Sequence, residues 1–283
     1  MYTNNIEKGT NMTIKLNQIY YKEEQIPYLE SCLIPYNNIE NPRPQECEFY
    51  IFLKEYMNGN MRDGDVTGYL SWKFKQKSQV GGEDFKKFID NNPENDLYYV
   101  NPYSFFTYVF HNTWIQGEAC HHGIINLIKS IFIDIGYDPN LITEQRHYIK
   151  NSTFCNYFAG SKNFWDRYIK WCQPIYDYIK NNSDPEFQRI MFNANLYGKL
   201  SYFPYIMERL VNTFINLPEN SDLKIISYPS DINVNSWTNV KKYLVTFKNL
   251  IDNIDERKEY NESDLLFLYN MYKFEPITSK LNI

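Results

Sequence analysis

No apolar run in the 283 residues reaches the roughly 18 to 20 that a bilayer-crossing helix needs, and the leading stretch MYTNNIEKGTNMT lacks the apolar centre of a signal peptide. A cytoplasmic protein without a transmembrane segment is the expectation. Cysteine is scarce: Cys32, Cys47, Cys120, Cys155 and Cys172 are an odd set with no C-x-x-C pair, which suits reduced core thiols rather than a disulfide framework. Positive charge is short as well. Lys and Arg number 29 against 34 Asp and Glu, a net charge of −5 with the bases scattered, which argues against a nucleic-acid partner. The fingerprints G-x-G-x-x-G, G-x-x-x-x-G-K-[ST] and G-x-S-x-G are all missing, so dinucleotide, P-loop and serine-hydrolase readings lose their motif support.

What the chain has in quantity is aromatic side chains, 18% of the total, with 26 Tyr and 19 Phe. Most such rings are core, although aromatic platforms with polar tips also stack on sugars and bases. The length is enough to bury a sizeable core. Residues 1–13 read as a disordered leader. Strand patterns follow at 14–21 and 32–36, then a turn-rich connector with two prolines and several asparagines. Residues 46–57 place Phe49, Phe52, Leu53 and Tyr56 at helical spacing. A strand over 66–74, a helix over 83–91 and a strand over 96–100 complete an alternation that defines an α/β sheet with helical crossovers.

In the second half, 105–114 is aromatic without a clear period, 122–135 is a buried helix, and 152–159 reads as another strand. The strongest helix covers 163–179, where Phe164, Tyr168, Trp171, Ile175 and Tyr178 recur every three or four residues. Shorter helices are expected at 184–196 and 205–217 and an edge strand at 223–228. An α/β domain over 14–229 and a helical C-terminal extension over 230–283, packed on the same domain, complete the expected organisation.

Chemistry is sought where such strands end, because ligands of helix-flanked sheets bind beyond the carboxyl ends of the strands. The end of 96–100 delivers Asn101-Pro102-Tyr103, and that of 66–74 delivers Trp72, Lys73 and, soon after, Lys77. Glu118-Ala119-Cys120-His121-His122 gathers zinc-type ligand atoms, but adjacent histidines diverge on a helix and no second cluster has i, i+4 spacing. His121 or His122 is the better pocket candidate there, as a hydrogen-bond donor, and a capping histidine is the plain alternative. Glu208 lies one turn into a helix opened by Pro204, where burial, Arg209 and the helix start would tune a catalytic base. An ordinary helix ion pair is the competing reading.

Three segments in order carry a resemblance: DVTGYLSWKF at 65–74, CNYF at 155–158 with KNFWDRY at 162–168, and YIMERL at 205–210. Together they resemble a family of nucleotide-sugar glycosyltransferases encoded with polysaccharide and surface-glycan genes, whose members have an x-x-G-x-x-H-Y-R-R strand, an N-M-F-I strand feeding an aromatic helix, and a late E-R-L helix. The matching order covers residues 14 to about 217. The resemblance implies a single Rossmann-like mixed sheet flanked by helices, of the glycosyltransferase A type, a nucleotide-diphosphate sugar donor, and a glycan or other hydroxyl as acceptor. It further implies a donor base near Tyr20 or Tyr21, hydrogen bonds from Gln25 and Asn37, and a diphosphate and sugar held by Ser71, Trp72, Lys73 and Lys77. Asn101 would point into the reaction centre, and Glu208 would act as base, oriented by Arg209. Glu118, His121, His122 and Asn156 complete the candidate pocket. The chain departs from the family twice. Ser71-Trp72-Lys73-Phe74 replaces the basic tetrad, and Asn101-Pro102-Tyr103 stands where A-type enzymes carry Asp-x-Asp. A divalent ion needs anionic oxygens. Either Asn101 is a weak ligand or lysines and an arginine stabilise the leaving diphosphate. Two other functions stay open, a binding protein that has lost catalysis and a metal-assisted hydrolase built on Glu118, His121 and His122.

Overall fold

A computed structural model describes residues 12–108, 110–193, 201–229 and 251–256. The leader expected at 1–13 lies outside the described residues but for its last two, as does most of the helical pattern after 230.

Six short strands form one mixed sheet: β1 (Ile14–Tyr20), β2 (Ile34–Asn37), β3 (Val66–Ser71), β4 (Leu97–Tyr99), β5 (Phe158–Ser161) and β6 (Ile225–Ser227). Their order across the sheet is β2-β1-β3-β5-β4-β6. β1 runs parallel to both β2 and β3, β4 runs parallel to β6, and β5 is antiparallel to both its neighbours, β3 and β4. Five carboxyl ends therefore share one sheet edge with the amino end of β5. The architecture is α/β, as the alternation of periods requires.

Strand alternation divides the core. Ile19, Tyr69, Leu97, Tyr99 and Phe158 face one side, where they meet α1 (Cys47–Met57), α5 (Ile124–Asp134), α6 (Lys162–Asn181) and α8 (Tyr202–Ile215). Leu16, Leu70, Tyr98 and Ala159 face the other, against α2 (Phe74–Ser78) and α3 (Gly82–Asp90). The long α6 is capped by Ser161, whose Oγ accepts from the Phe164 amide at 3.2 Å. It buries Phe164, Trp165, Tyr168, Ile169, Cys172, Ile175, Tyr176 and Ile179 along one stripe. The remaining helices are α4 (Thr113–Cys120) and α7 (Pro185–Gln188).

Two expected elements come out differently. The strand over 152–159 is confined to β5, because the Asn212 side chain takes both backbone groups of Thr153, accepting from its amide at 2.7 Å and donating to its carbonyl at 2.9 Å. Residue 153 thus has no free ladder groups, and Cys155 turns the chain at φ +74°. The strand over 66–74 stops at Ser71, since Phe74 already opens α2. The aromatic run 105–114 is a tight 3-10 turn over Ser104–Tyr108, followed by α4 with Asn112 as its cap.

Past the sheet, residues 251–256 form a helical turn held by buried charge. Arg146 binds Asp255 through Nε at 3.2 Å and Nη2 at 3.1 Å, and donates to the carbonyls of Thr107, Phe110 and His111. Tyr108 donates to Asp252 at 2.8 Å. Beside this pair His147 is fully buried, with Nδ1 facing the Thr113 amide and Nε2 at 2.9 Å from Gln145 Oε1, an arrangement that assigns the proton to Nε2. Burial first, then His111 and Arg146, hold the His147 imidazole well below its usual range. A histidine kept neutral in the fold and free to charge in the unfolded chain subtracts stability as pH falls through about 6.5 and below, by at most about 1.4 kcal/mol per pH unit. Melting curves from pH 7.5 to 5.5 should therefore fall more steeply for the parent than for His147→Gln, and equal slopes would remove His147 as the cause.

Candidate functional site

The sheet edge that collects five carboxyl ends also collects the ionisable side chains. β1 delivers Tyr21, β3 delivers Ser71 and then Lys77 on α2, and β4 delivers Asn101 and Tyr103. The turn into β5 delivers Cys155 and Tyr157, α1 contributes Cys47 and Glu48 from its first turn, and α8 contributes Glu208.

Glu48 is the most perturbed acid of the group. Its side chain is neither exposed nor sealed off. Burial pushes its carboxyl above the ordinary range; its own backbone amide, Tyr21 and Lys77 pull it back, while Glu208 pushes it higher. The Tyr21 hydroxyl and that carboxyl are close enough for each to shift the other. Burial raises the phenol well above its usual range, and Glu48 and Cys47 add to this.

Glu208 emerges from α8 between Met207 and Arg209, both buried, while remaining partly accessible itself. One oxygen accepts from the Cys155 amide at 2.6 Å, which fastens the left-handed turn at that residue. Lys77 reaches to 4.0 Å from Cys155 Sγ. Burial lowers its ammonium, but Cys155, Tyr103, Glu208 and Glu48 together outweigh that and raise it, so it stays charged. The two thiols are not nucleophiles. Burial, then Glu48 and Glu208, push Cys47 up to about 12, and burial and Glu208 push Cys155 higher still, leaving both protonated at neutral pH. Cys47 is itself strained at φ +47°. Tyr157 shares a hydrogen bond with Ser71 Oγ at 3.3 Å, and Tyr103 is fixed by its amide donating to Asn101 Oδ1 at 3.0 Å.

The wall that carries Glu48 is tied down by its neighbour. Glu46 is fully buried and accepts from Lys180 at 2.7 Å and from the Tyr176 hydroxyl at 2.8 Å, while Arg43 donates to Tyr176 at 2.7 Å. Three contacts to α6 and the preceding loop thus fix the start of α1.

The residues singled out from the sequence divide into those the fold gathers and those it places elsewhere. Tyr21, Ser71, Lys77 and Glu208 belong to the cluster. Asn101 borders it, but its amide is taken up by the Ser152 carbonyl at 2.8 Å and its oxygen by Tyr103, so it shapes the turn rather than pointing inward. Arg209 turns away from Glu208: it is buried and donates to Thr113 O, Tyr205 O and Gln116 Oε1. Lys73 lies outside, exposed, 4.9 Å from the centre of the Trp72 ring, which in turn packs 5.6 Å from Tyr28. Gln25 caps the Tyr21 amide at 2.7 Å, Asn37 caps Ile39 at 2.9 Å, and the Tyr20 carbonyl accepts from Asn38. Asn156 sits partly buried between two cluster residues.

Glu118 has a structural role: it accepts from the amides of Gly123 and Ile125 at 2.7 and 3.0 Å and so caps α5, with His122 beside it at 2.9 Å. His121 stacks on Tyr205 at 3.6 Å. Among the described residues no group of three or more His, Cys, Asp or Glu is arranged to hold a metal ion, and no helix is long and apolar enough to cross a membrane.

Sequence reasoning missed Glu48, Cys47 and Tyr157, and placed Tyr103 at a strand end without a role. A carboxylate in the first turn of the helix after the second strand was the available signal for Glu48. Tyr103 and Tyr157 follow from strand direction, and Cys47 from where α1 begins. In comparison with known protein families, curated proteins and solved structures, the chain matches none.

Proposed function

We propose that this protein is a glycosyltransferase of the A-type architecture, moving a sugar from a nucleotide-diphosphate donor to a hydroxyl of a glycan or other acceptor. The observation that carries the reading is the convergence of Glu208, Lys77 and Tyr21 at the carboxyl ends of the parallel strands of an α/β sheet, where ligands of such sheets bind. In this reading the Glu208 carboxylate takes the acceptor's proton. One of its oxygens holds the Cys155 turn, so that its position is set before the acceptor arrives. Lys77 is the cation of the cluster and is assigned the leaving diphosphate. The Trp72 and Lys73 pair lies outside the cluster, and we assign it no part in the chemistry.

The test is a thermal-shift screen with UDP, GDP, CMP and dTDP sugars, with and without a divalent cation. A ligand that prefers the native state raises the melting point. A shift of several degrees with one nucleotide class is expected, reduced by Lys77→Ala and little changed by Lys73→Ala. No shift with any donor would remove the transferase reading. Binding without sugar transfer or donor hydrolysis would favour a binding protein on the same fold.

A further inference from the structure

The α8 helix meets the segment before β5 through side chains spaced one turn apart. Glu208 accepts from the Cys155 amide at 2.6 Å. One turn on, Asn212 serves both backbone groups of Thr153, at 2.7 and 2.9 Å. A further turn on, at the cap of the helix, Asn216 Nδ2 donates to the Asn151 carbonyl at 2.9 Å and to the Asn212 carbonyl at 2.7 Å. The match of spacings has a physical origin. A helical turn of four residues rises about 6 Å, and two residues of extended chain advance about 6.6 Å. An extended segment running antiparallel to the helix therefore meets a new side chain at every second residue. Ser152 is extended at φ −147°, and its carbonyl turns away from α8 to accept from Asn101 at 2.8 Å, while the groups of 151, 153 and 155 turn toward the helix. A slip of one residue would reverse all of these, so the register of the segment against Glu208 is fixed.

Asn212 is the middle rung and is fully buried, as are Ser152 and Thr153. Water is excluded from this stretch of backbone, so the Thr153 groups depend on the Asn212 amide. Cys155, two residues along, makes the left-handed turn that holds one Glu208 oxygen, and Lys77 lies 4.0 Å from its sulfur. We propose that Asn212 is a positioning residue for Glu208: by fixing Thr153 it sets the Cys155 turn, and the turn sets the carboxylate. Asn216 anchors the far end of the same rail. The register stands on its own hydrogen bonds; its effect on rate rests on the transferase reading, in which Glu208 is the base.

Two variants of the intact protein test this. Asn212→Ala removes both bonds to Thr153, and Asn212→Ser is the milder companion, since its small hydroxyl leaves room for a water to serve that backbone. Hydrogen exchange resolved to single amides reads Cys155, which Asn212 does not touch. Its exchange should quicken about tenfold more than that of the β1 amides in both variants, the mark of local rather than global opening. Turnover, measured where each variant is fully folded, should fall about ten- to a hundredfold with nucleoside diphosphate affinity held within a few-fold, the scale of loss when a reacting group is displaced by about 1 Å. In a Glu208→Gln background, Asn212→Ala should cost less than about twofold more, because the group it positions is already gone. An Asn212 that only supports the fold would lower the melting point and leave the kcat of folded protein unchanged, and that result overturns the proposal. Cys155 exchange that rises no more than the β1 amides, or an equal further loss in the Glu208→Gln background, overturns it too. Quickened Cys155 exchange in a protein that transfers no sugar would keep Asn212 as the residue that positions Glu208 and remove the transferase.

Discussion

Glu208→Gln should lower sugar transfer by about 10²–10⁴-fold while nucleotide affinity stays within a few-fold of the parent. The amide keeps an oxygen for the Cys155 backbone N–H, so the turn at 154–156 is preserved and only proton acceptance is removed. Glu208→Ala is the harsher companion. It frees the Cys155 amide and the left-handed backbone at once, so a fall in melting temperature should accompany its loss of activity. Steady-state kinetics with the donor identified by the screen provides the measurement. Full activity in the glutamine variant would take the base away from Glu208, and Glu48, whose carboxyl it pushes up, would be the next acid to test.

Arg146→Met should cost about 3–5 kcal/mol in denaturant unfolding, the largest stability effect expected from a single change. The guanidinium neutralises Asp255 and serves the carbonyls of Thr107, Phe110 and His111, all in a region closed to water. Methionine fills much of the volume but takes the guanidinium away from the buried Asp255 carboxylate. Arg146→Met combined with Asp255→Leu should recover a large part of the loss, because the residual cost then lies only in the unserved carbonyls. A loss below about 1 kcal/mol in the single variant would mean that the 251–256 turn is not fastened by this ion pair.

The elements that could be read from the sequence are those whose burial is periodic. The stripe of α6 and the alternation of β1 are set by side-chain spacing alone, and both came out within a residue or two of expectation. The 152–157 segment could not be read that way, since its composition is strand-like and its conformation is decided by Asn212, some sixty residues later. The same split runs through the site. Glu208 and Lys77 were visible because they follow a helix start and a strand end. Glu48 was not, because its significance lies in what surrounds it: a carboxylate in the first turn of a helix is common, and one buried among Tyr21, Lys77 and a second carboxylate is not. Asn101 and Arg209 show the converse error. Both stand at suggestive positions, and both have their polar atoms engaged by the backbone or by Gln116.

The buried Glu46, clasped by Lys180 and Tyr176, bears on the thermodynamics of recognition. A segment already anchored to the longest helix has surrendered its freedom during folding, so a visitor settling against Glu48 does not have to immobilise it. Affinity at that side is then governed by how well the visitor's own groups match the carboxylate, and substitutions at Lys180, which holds Glu46, should weaken recognition by loosening the scaffold.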